Sequence, residues 1–179
     1  MQFGNLDFQP AAQHLDLVAA PVRDAVALRD GVDVLAAPID PEVADTAAFC
    51  ERYGIRMEDG ANCVVVEGKR GDVVRHAVCM IRATDRIDVN GAVRRLLDVK
   101  KASFAAMETA TALTGMEYGG ITPIGAPVEW PILVDEAVAA SGQLVIGSGV
   151  RASKLLVTGD MLASLPGAQV VPIAKQPPA

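Results

Sequence analysis

Gly115-Met116-Glu117-Tyr118-Gly119-Gly120-Ile121-Thr122-Pro123-Ile124-Gly125-Ala126-Pro127-Val128-Glu129-Trp130-Pro131 is the segment on which the architecture turns. Four glycines and three prolines in seventeen positions forbid a regular helix or strand there. Met116, Tyr118, Ile121, Ile124 and Trp130 make it too apolar to stay solvated, so an ordered loop is expected. An ordered loop of that length inside a compact domain usually carries function. Upstream, the pattern predicts a short helix near 107–113 and a strand near 102–105. Downstream, strands are expected at 131–134, 143–146 and 153–157, a short helix from Thr158, and a final strand over 168–173.

Asp88 can cap a helix whose apolar stripe is Val89, Ala92, Val93, Leu96 and Leu97. Residues 62–67 and 73–82 read as two strands joined by the glycine-containing loop 68–72. Asp40-Pro41-Glu42 is a helix start, with Val43, Ala47, Cys50 and Tyr53 on one face and Gly54 as the stop. Residues 32–36 alternate like a strand before Pro38, and a short helix from Pro21 should stop near Gly31. Residues 1–20 are weakly patterned, helical or irregular. Short strands and short helices in alternation imply an α+β single domain, with a mixed, mostly antiparallel sheet flanked by short helices. The expected organisation is a lead-in over 1–34, the main domain over 35–173 and a loose tail over 174–179.

The chain's 179 residues suffice for a core without metal or disulfide staples. No apolar run approaches a membrane span, and residues 1–5 have no basic-then-apolar leader. Cys50, Cys63 and Cys79 are odd in number and widely spaced, as buried thiols in a reducing compartment would be. A cytoplasmic protein is the expectation. The net charge of −6 opposes non-specific nucleic-acid binding, yet it is unevenly spread. Residues 69–101 carry nine Lys or Arg against four Asp or Glu, whereas 1–68 carry four against twelve. The basic third is either an ordinary solvated surface or a phosphate-receiving patch.

Gly147-Ser148-Gly149-Val150-Arg151-Ala152 has the letters of a dinucleotide fingerprint, but Lys154-Leu155-Leu156-Val157 after it reads as a strand rather than the required helix. A tight strand-to-strand turn is expected instead. His14 and His76 have no partner at ligand spacing, so neither a metal nor a cofactor is expected. His76 alternates with Val74, Val78 and Met80, as a core histidine would. No spacing supports a catalytic triad. Consecutive glycines at 119–120, stiffened by Pro123, can bring backbone amides to a ligand as an oxyanion hole does. A structural turn explains the same composition, and composition alone favours it.

Further features bear on the choice. Leu113-Thr114-Gly115, Gly119-Gly120-Ile121-Thr122-Pro123-Ile124-Gly125 and Pro131-Ile132-Leu133-Val134-Asp135 resemble the YbaK/EbsC and prolyl-tRNA-synthetase insertion family, in order and spacing. Val145-Ile146-Gly147-Ser148-Gly149-Val150-Arg151, followed by Lys154-Leu155, resembles that family's closing glycine turn. The resemblance covers roughly residues 35–165.

It implies an α+β fold with a pocket for the 3′ end of charged tRNA, and hydrolysis of the aminoacyl ester on mischarged tRNA, in trans or as a synthetase domain. Aminoacyl-tRNA and an aminoacyl-tRNA synthetase are the implied partners; a membrane is not, and the protein would be a monomer or homodimer. By the same resemblance Gly119, Gly120, Thr122 and Pro123 belong to the glycine-x-x-x-proline loop beside the aminoacyl group. Gly147, Ser148 and Gly149 would line the pocket, and Asp135 matches the family's acid after the strand, in either a structural hydrogen-bonding or a catalytic role. Gly125 and Arg151 of the matching blocks are substrate-side candidates, and Lys101 is a further one, from the basic segment rather than from the resemblance. Asn62 stands where many members of the family have a lysine, a neutral amide donor in place of a permanent charge. Water attack, aided by the substrate's own ribose hydroxyl, suits a chain with no evident nucleophile. Two alternatives stay open at this point: a non-catalytic binding module of the same fold, and a hydrolase of small acyl compounds.

Overall fold

The structure is a computed structural model that describes residues 1–27 and 34–175. The expected helix stop at Gly31, the start of the strand at Val32 and the end of the tail lie outside the described residues.

The lead-in is more ordered than its weak patterning suggested. β1 (Gln2–Phe3) pairs with β2 (Leu6–Asp7), and β3 (Gln9–Pro10) follows. α1 (Ala20–Ala27) then buries Val22 and Val26. β3 pairs with β4 (Leu35–Pro38), so these first residues join the main domain. The helix expected from Asp40 is broken. Asp40 caps only a single turn at Pro41–Val43, and α2 (Thr46–Tyr53) starts afresh after Asp45 and ends at Gly54, whose φ is +63°.

β5 (Ala61–Arg70) and β6 (Val73–Arg82) form the longest hairpin, from Ala61↔Arg82 to Arg70↔Val73. Pairing therefore runs through 68–70, which the glycine had suggested was loop. Gly68 is a strand glycine kept small by packing: a Cβ there would lie 2.6 Å from Val99 Cγ2. Asp88 accepts from the amides of Gly91 and Ala92 and caps a π-turn over Val89–Val93, which continues as α3 (Arg94–Leu96). β7 (Lys101–Phe104) and α4 (Met107–Thr114) lead into the irregular segment.

After it come β8 (Ile132–Asp135), α5 (Glu136–Ala139), β9 (Gln143–Gly147), β10 (Ser153–Thr158), α6 (Gly159–Ala163) and β11 (Ala168–Val171). α5 is a four-residue helix without a sequence signal of its own, and the last strand stops two residues short of expectation. The strands form a mixed sheet, β11-β8-β6-β5-β7, and an antiparallel sheet, β3-β4-β10-β9. The fold is a mixed α+β single domain, as the pattern implied. A lone bridge between Gly60 and Val145 joins the two sheets. Met116, Ile121, Ile124 and Trp130 are buried in the core shared by the sheets, which is why the glycine-rich segment is ordered.

Candidate active site

The irregular segment and the turn after β9 are packed backbone to backbone. Gly149 N–H donates to the Gly120 carbonyl at 2.7 Å, and Glu117 N–H donates to the Gly149 carbonyl at 2.8 Å. A Cβ on Gly120 would stand 2.6 Å from the Val150 carbonyl oxygen, and one on Gly147 would stand 2.3 Å from the Gly120 carbonyl oxygen. No side chain fits between these strips of chain. Gly119 needs glycine for a second reason: its φ is +84°.

This clasp closes one side of a cavity of about 450 Å³. The opposite wall comes from α2 and the first residues of β5, including Thr46, Phe49, Cys50 and Asn62. The cavity therefore opens at the seam where the two sheets part. Its interior is largely apolar, with Ala61, Val65, Ala110, Ile121, Val145 and Ile146 in the lining. Phe104 and Tyr118 also line it, and both are more than half exposed.

The lining holds several uncommitted donors. The backbone N–H groups of Gly119 and Ile121 have no hydrogen-bond partner among the described residues. The Gly120 N–H is committed, donating to the Glu117 carbonyl at 3.0 Å. Thr46 donates its hydroxyl to Asn62 Oδ1 at 2.9 Å, which fixes the amide and leaves its NH₂ group without a partner among the described residues. Lys154 also lines the cavity, although only 9 % of it is exposed. Its ammonium donates to the Ala44 carbonyl at 3.0 Å, lies 5.2 Å from the Phe49 ring centroid and makes no ion pair among the described residues. Burial holds its pKa below the ordinary lysine value, and the Arg151 charge adds to this; Asp45 and Cys50 act the other way.

The lining offers no ready nucleophile. Burial pushes the Cys50 thiol up, and it pushes the Cys63 thiol well up. Thiols so shifted are poor in thiolate at neutral pH. Thr46 has its hydroxyl proton engaged. Among the described residues, no three His, Cys, Asp or Glu side chains are grouped to hold a metal ion.

Of the residues singled out in the sequence, Asn62, Gly119 and Gly147 meet in the cavity lining. Gly120 sits behind it as the clasp. Thr122 is fully buried, its hydroxyl without a partner among the described residues, and Pro123 lies beside it, outside the lining. Gly125 packs against α1: a Cβ there would lie 2.4 Å from the Pro21 carbonyl oxygen. Ser148 is buried and donates to the Val150 and Ser153 carbonyls, and a Gly149 Cβ would meet Ala19 at 2.4 Å. Asp135 is 3 % exposed and accepts three backbone amides away from the cavity. Arg151 straps the rim, donating to the Pro41 carbonyl at 3.0 Å and standing 3.7 Å from Asp45. Lys101 is exposed on β7, paired in register with Lys69 and three residues from Phe104. Thr46 escaped the sequence reading, and Lys154 was read only as part of the closing turn, without a site role. The available signal was a lysine leading the otherwise apolar run Lys154-Leu155-Leu156-Val157.

The sequence profile of the aminoacyl-tRNA editing domain matches residues 40–165. A solved structure described as a "putative trans-editing enzyme for prolyl tRNA synthetase" superposes with a TM-score of 0.74 at 20% identity, over 95% of this chain and 100% of that one. The structure of hypothetical protein APE2540 superposes with a TM-score of 0.76 at 17% identity, over 87% of this chain and 99% of that one. At these identities the structures establish a shared fold. No curated protein matches the chain. Among the described residues, no helix is long and apolar enough to cross a membrane.

Proposed function

The chain belongs to the aminoacyl-tRNA editing domain family, and on that premise we propose that it acts in trans to hydrolyse the ester joining a wrong amino acid to tRNA. The observation that carries this reading is that residues with unpartnered donors, Gly119 and Ile121 with their amides and Asn62 with its NH₂ group, line one mostly apolar cavity. Ester hydrolysis needs such donors where the carbonyl oxygen gains charge, and fixed donors in a poorly hydrated site stabilise that charge well.

The attacking group in this reading is water, since the lining thiols are held protonated and the Thr46 proton is engaged. Water oxygen bonds to the ester carbon, the bond to the ribose oxygen breaks, and the water proton passes to that oxygen, with the vicinal ribose hydroxyl assisting. The products are the free amino acid and uncharged tRNA. The Gly119 and Ile121 amides hold the carbonyl oxygen, and the Asn62 amide orients the ester or ribose. The apolar walls select by size, which discriminates by only about 1–3 kcal/mol per methylene.

A panel of tRNAs mischarged with small and medium amino acids tests the reading. We expect accelerated release of a subset of amino acids and no release from the correctly charged, larger or smaller competitor. Protection of every ester against spontaneous hydrolysis would instead identify a binding module. Cleavage of small acyl esters with no tRNA cleavage would identify an acyl hydrolase.

A further inference from the structure

We propose that Lys154 is a catalytic residue whose ammonium donates a hydrogen bond to the carbonyl oxygen of the bound aminoacyl ester. The inference rests on the ester-hydrolase reading above and deepens it. Its starting point is a cation buried where the fold has little use for one. The positions after it on β10, Leu155, Leu156 and Val157, are buried and apolar. An ammonium taken out of water is costly unless paired, and Lys154 has no carboxylate in ion-pair contact among the described residues. The Ala44 carbonyl occupies one of its three donors. A neutral donor could serve Ala44 equally well, so the positive charge itself requires an explanation.

The cavity supplies one. Lys154 shares its lining with Asn62 and with the unpartnered amides of Gly119 and Ile121. An aminoacyl ester entering that space brings a carbonyl oxygen that turns negative as water adds. It also brings an α-ammonium that Lys154 repels, toward Asp45, which lies in the lining with its side chain 81% exposed. One buried cation thus orients the substrate and stabilises the charge that develops, at low local dielectric. Lys154 keeps its protons throughout; the proton released by water goes to the ribose oxygen.

The test compares the wild-type protein with Lys154→Gln, which keeps a neutral donor for the Ala44 carbonyl, and Lys154→Met, which keeps only the stem. Deacylation is followed on the mischarged tRNA that the wild type cleaves fastest. For Lys154→Gln, kcat should fall roughly 100-fold while KM moves by less than about threefold, with thermal unfolding essentially unchanged. Full kcat in Lys154→Gln, with loss only in Lys154→Met, would assign the lysine to holding Ala44 and overturn the proposal.

A second measurement does not depend on turnover. The Lys154 pKa is followed by NMR in the full chain, with and without saturating 3′-propionylamino-3′-deoxyadenosine, an amide that keeps the carbonyl, resists hydrolysis and lacks the α-ammonium that would itself lower the lysine's pKa. Arg151, Asp45 and Cys50 act on the ammonium in both samples, so contact with the carbonyl should appear as a rise. An unmoved value at saturation overturns the role of Lys154. A wild type that cleaves no tRNA in the panel sinks the ester-hydrolase reading, and the titration still decides whether the lysine meets an aminoacyl carbonyl.

Discussion

The Asp135 carboxylate accepts from Ala137 at 3.0 Å, from Ile173 at 3.0 Å and from Ala174 at 2.9 Å. It thereby caps α5 and ties the end of the described chain to β8. The resemblance left a structural hydrogen-bonding task and a catalytic one equally open for it; its bonds support the structural task. Asp135→Ala should lower stability by about 3 kcal/mol, because three amides, one buried and two partly buried, lose a charged acceptor. The kcat of the folded fraction should not change. Denaturant unfolding, read beside deacylation, checks this; a kcat loss at full stability would return Asp135 to the substrate. Gly120 and Gly147 make a related point. Their residue type was legible as a sign of close approach, but the approach is of backbone to backbone, Gly120 to Val150 and Gly147 to Gly120. Lys154 was not legible because burial, which makes it unusual, is a property of the folded chain.

Elements were legible where a local rule governs them. The Asp88 cap, the Gly54 stop and the helix start at Thr158 follow from residue chemistry at helix ends. Gly68 misled because a glycine serves equally in a turn and under a packed valine. α5 and the broken helix after Asp40 had no period long enough to read. The π-turn before α3 gives an element-level prediction. Gly→Ala within a helix ordinarily stabilises by about 1 kcal/mol. At Gly91 the new methyl would stand 2.1 Å from Asp88 Oδ2 and displace the carboxylate that caps Gly91 and Ala92. Gly91→Ala should therefore destabilise by about 1 kcal/mol, the worth of a lost cap. A raised unfolding temperature would show that Asp88 can swing aside and that the cap contributes little.

At the scale of the whole molecule, sequence spacing cannot show that Gly120 meets Val150 or that Thr46 meets Asn62; those contacts join distant segments and make the cavity. Charge behaves similarly. The excess of cations over 69–101 was visible, but its surface was not. In the fold, Lys69 and Lys101 are register partners across β5 and β7, and the Lys100 amide donates to the Lys69 carbonyl. Glu67 engages Lys69, and Asp98 engages Arg70 and Arg75, so part of the excess is neutralised locally. Lys100 and Lys101 make no ion pair among the described residues and are exposed. From Lys101 the strand runs three residues to Phe104 at the cavity, roughly 10 Å at strand rise. That span suits a single-stranded acceptor end whose amino acid lies in the cavity and whose phosphates pass the lysines. Each phosphate contact on a single strand contributes about 0.7 to the slope of log K against log salt. The double variant Lys100→Ala/Lys101→Ala should therefore bind tRNA more weakly, with a slope shallower by about 1.4. Its kcat at saturating tRNA should match the wild type, since neither lysine reaches the cavity lining. Parallel salt plots for the two proteins would move the acceptor end to another face of the molecule, while leaving the cavity chemistry as it stands.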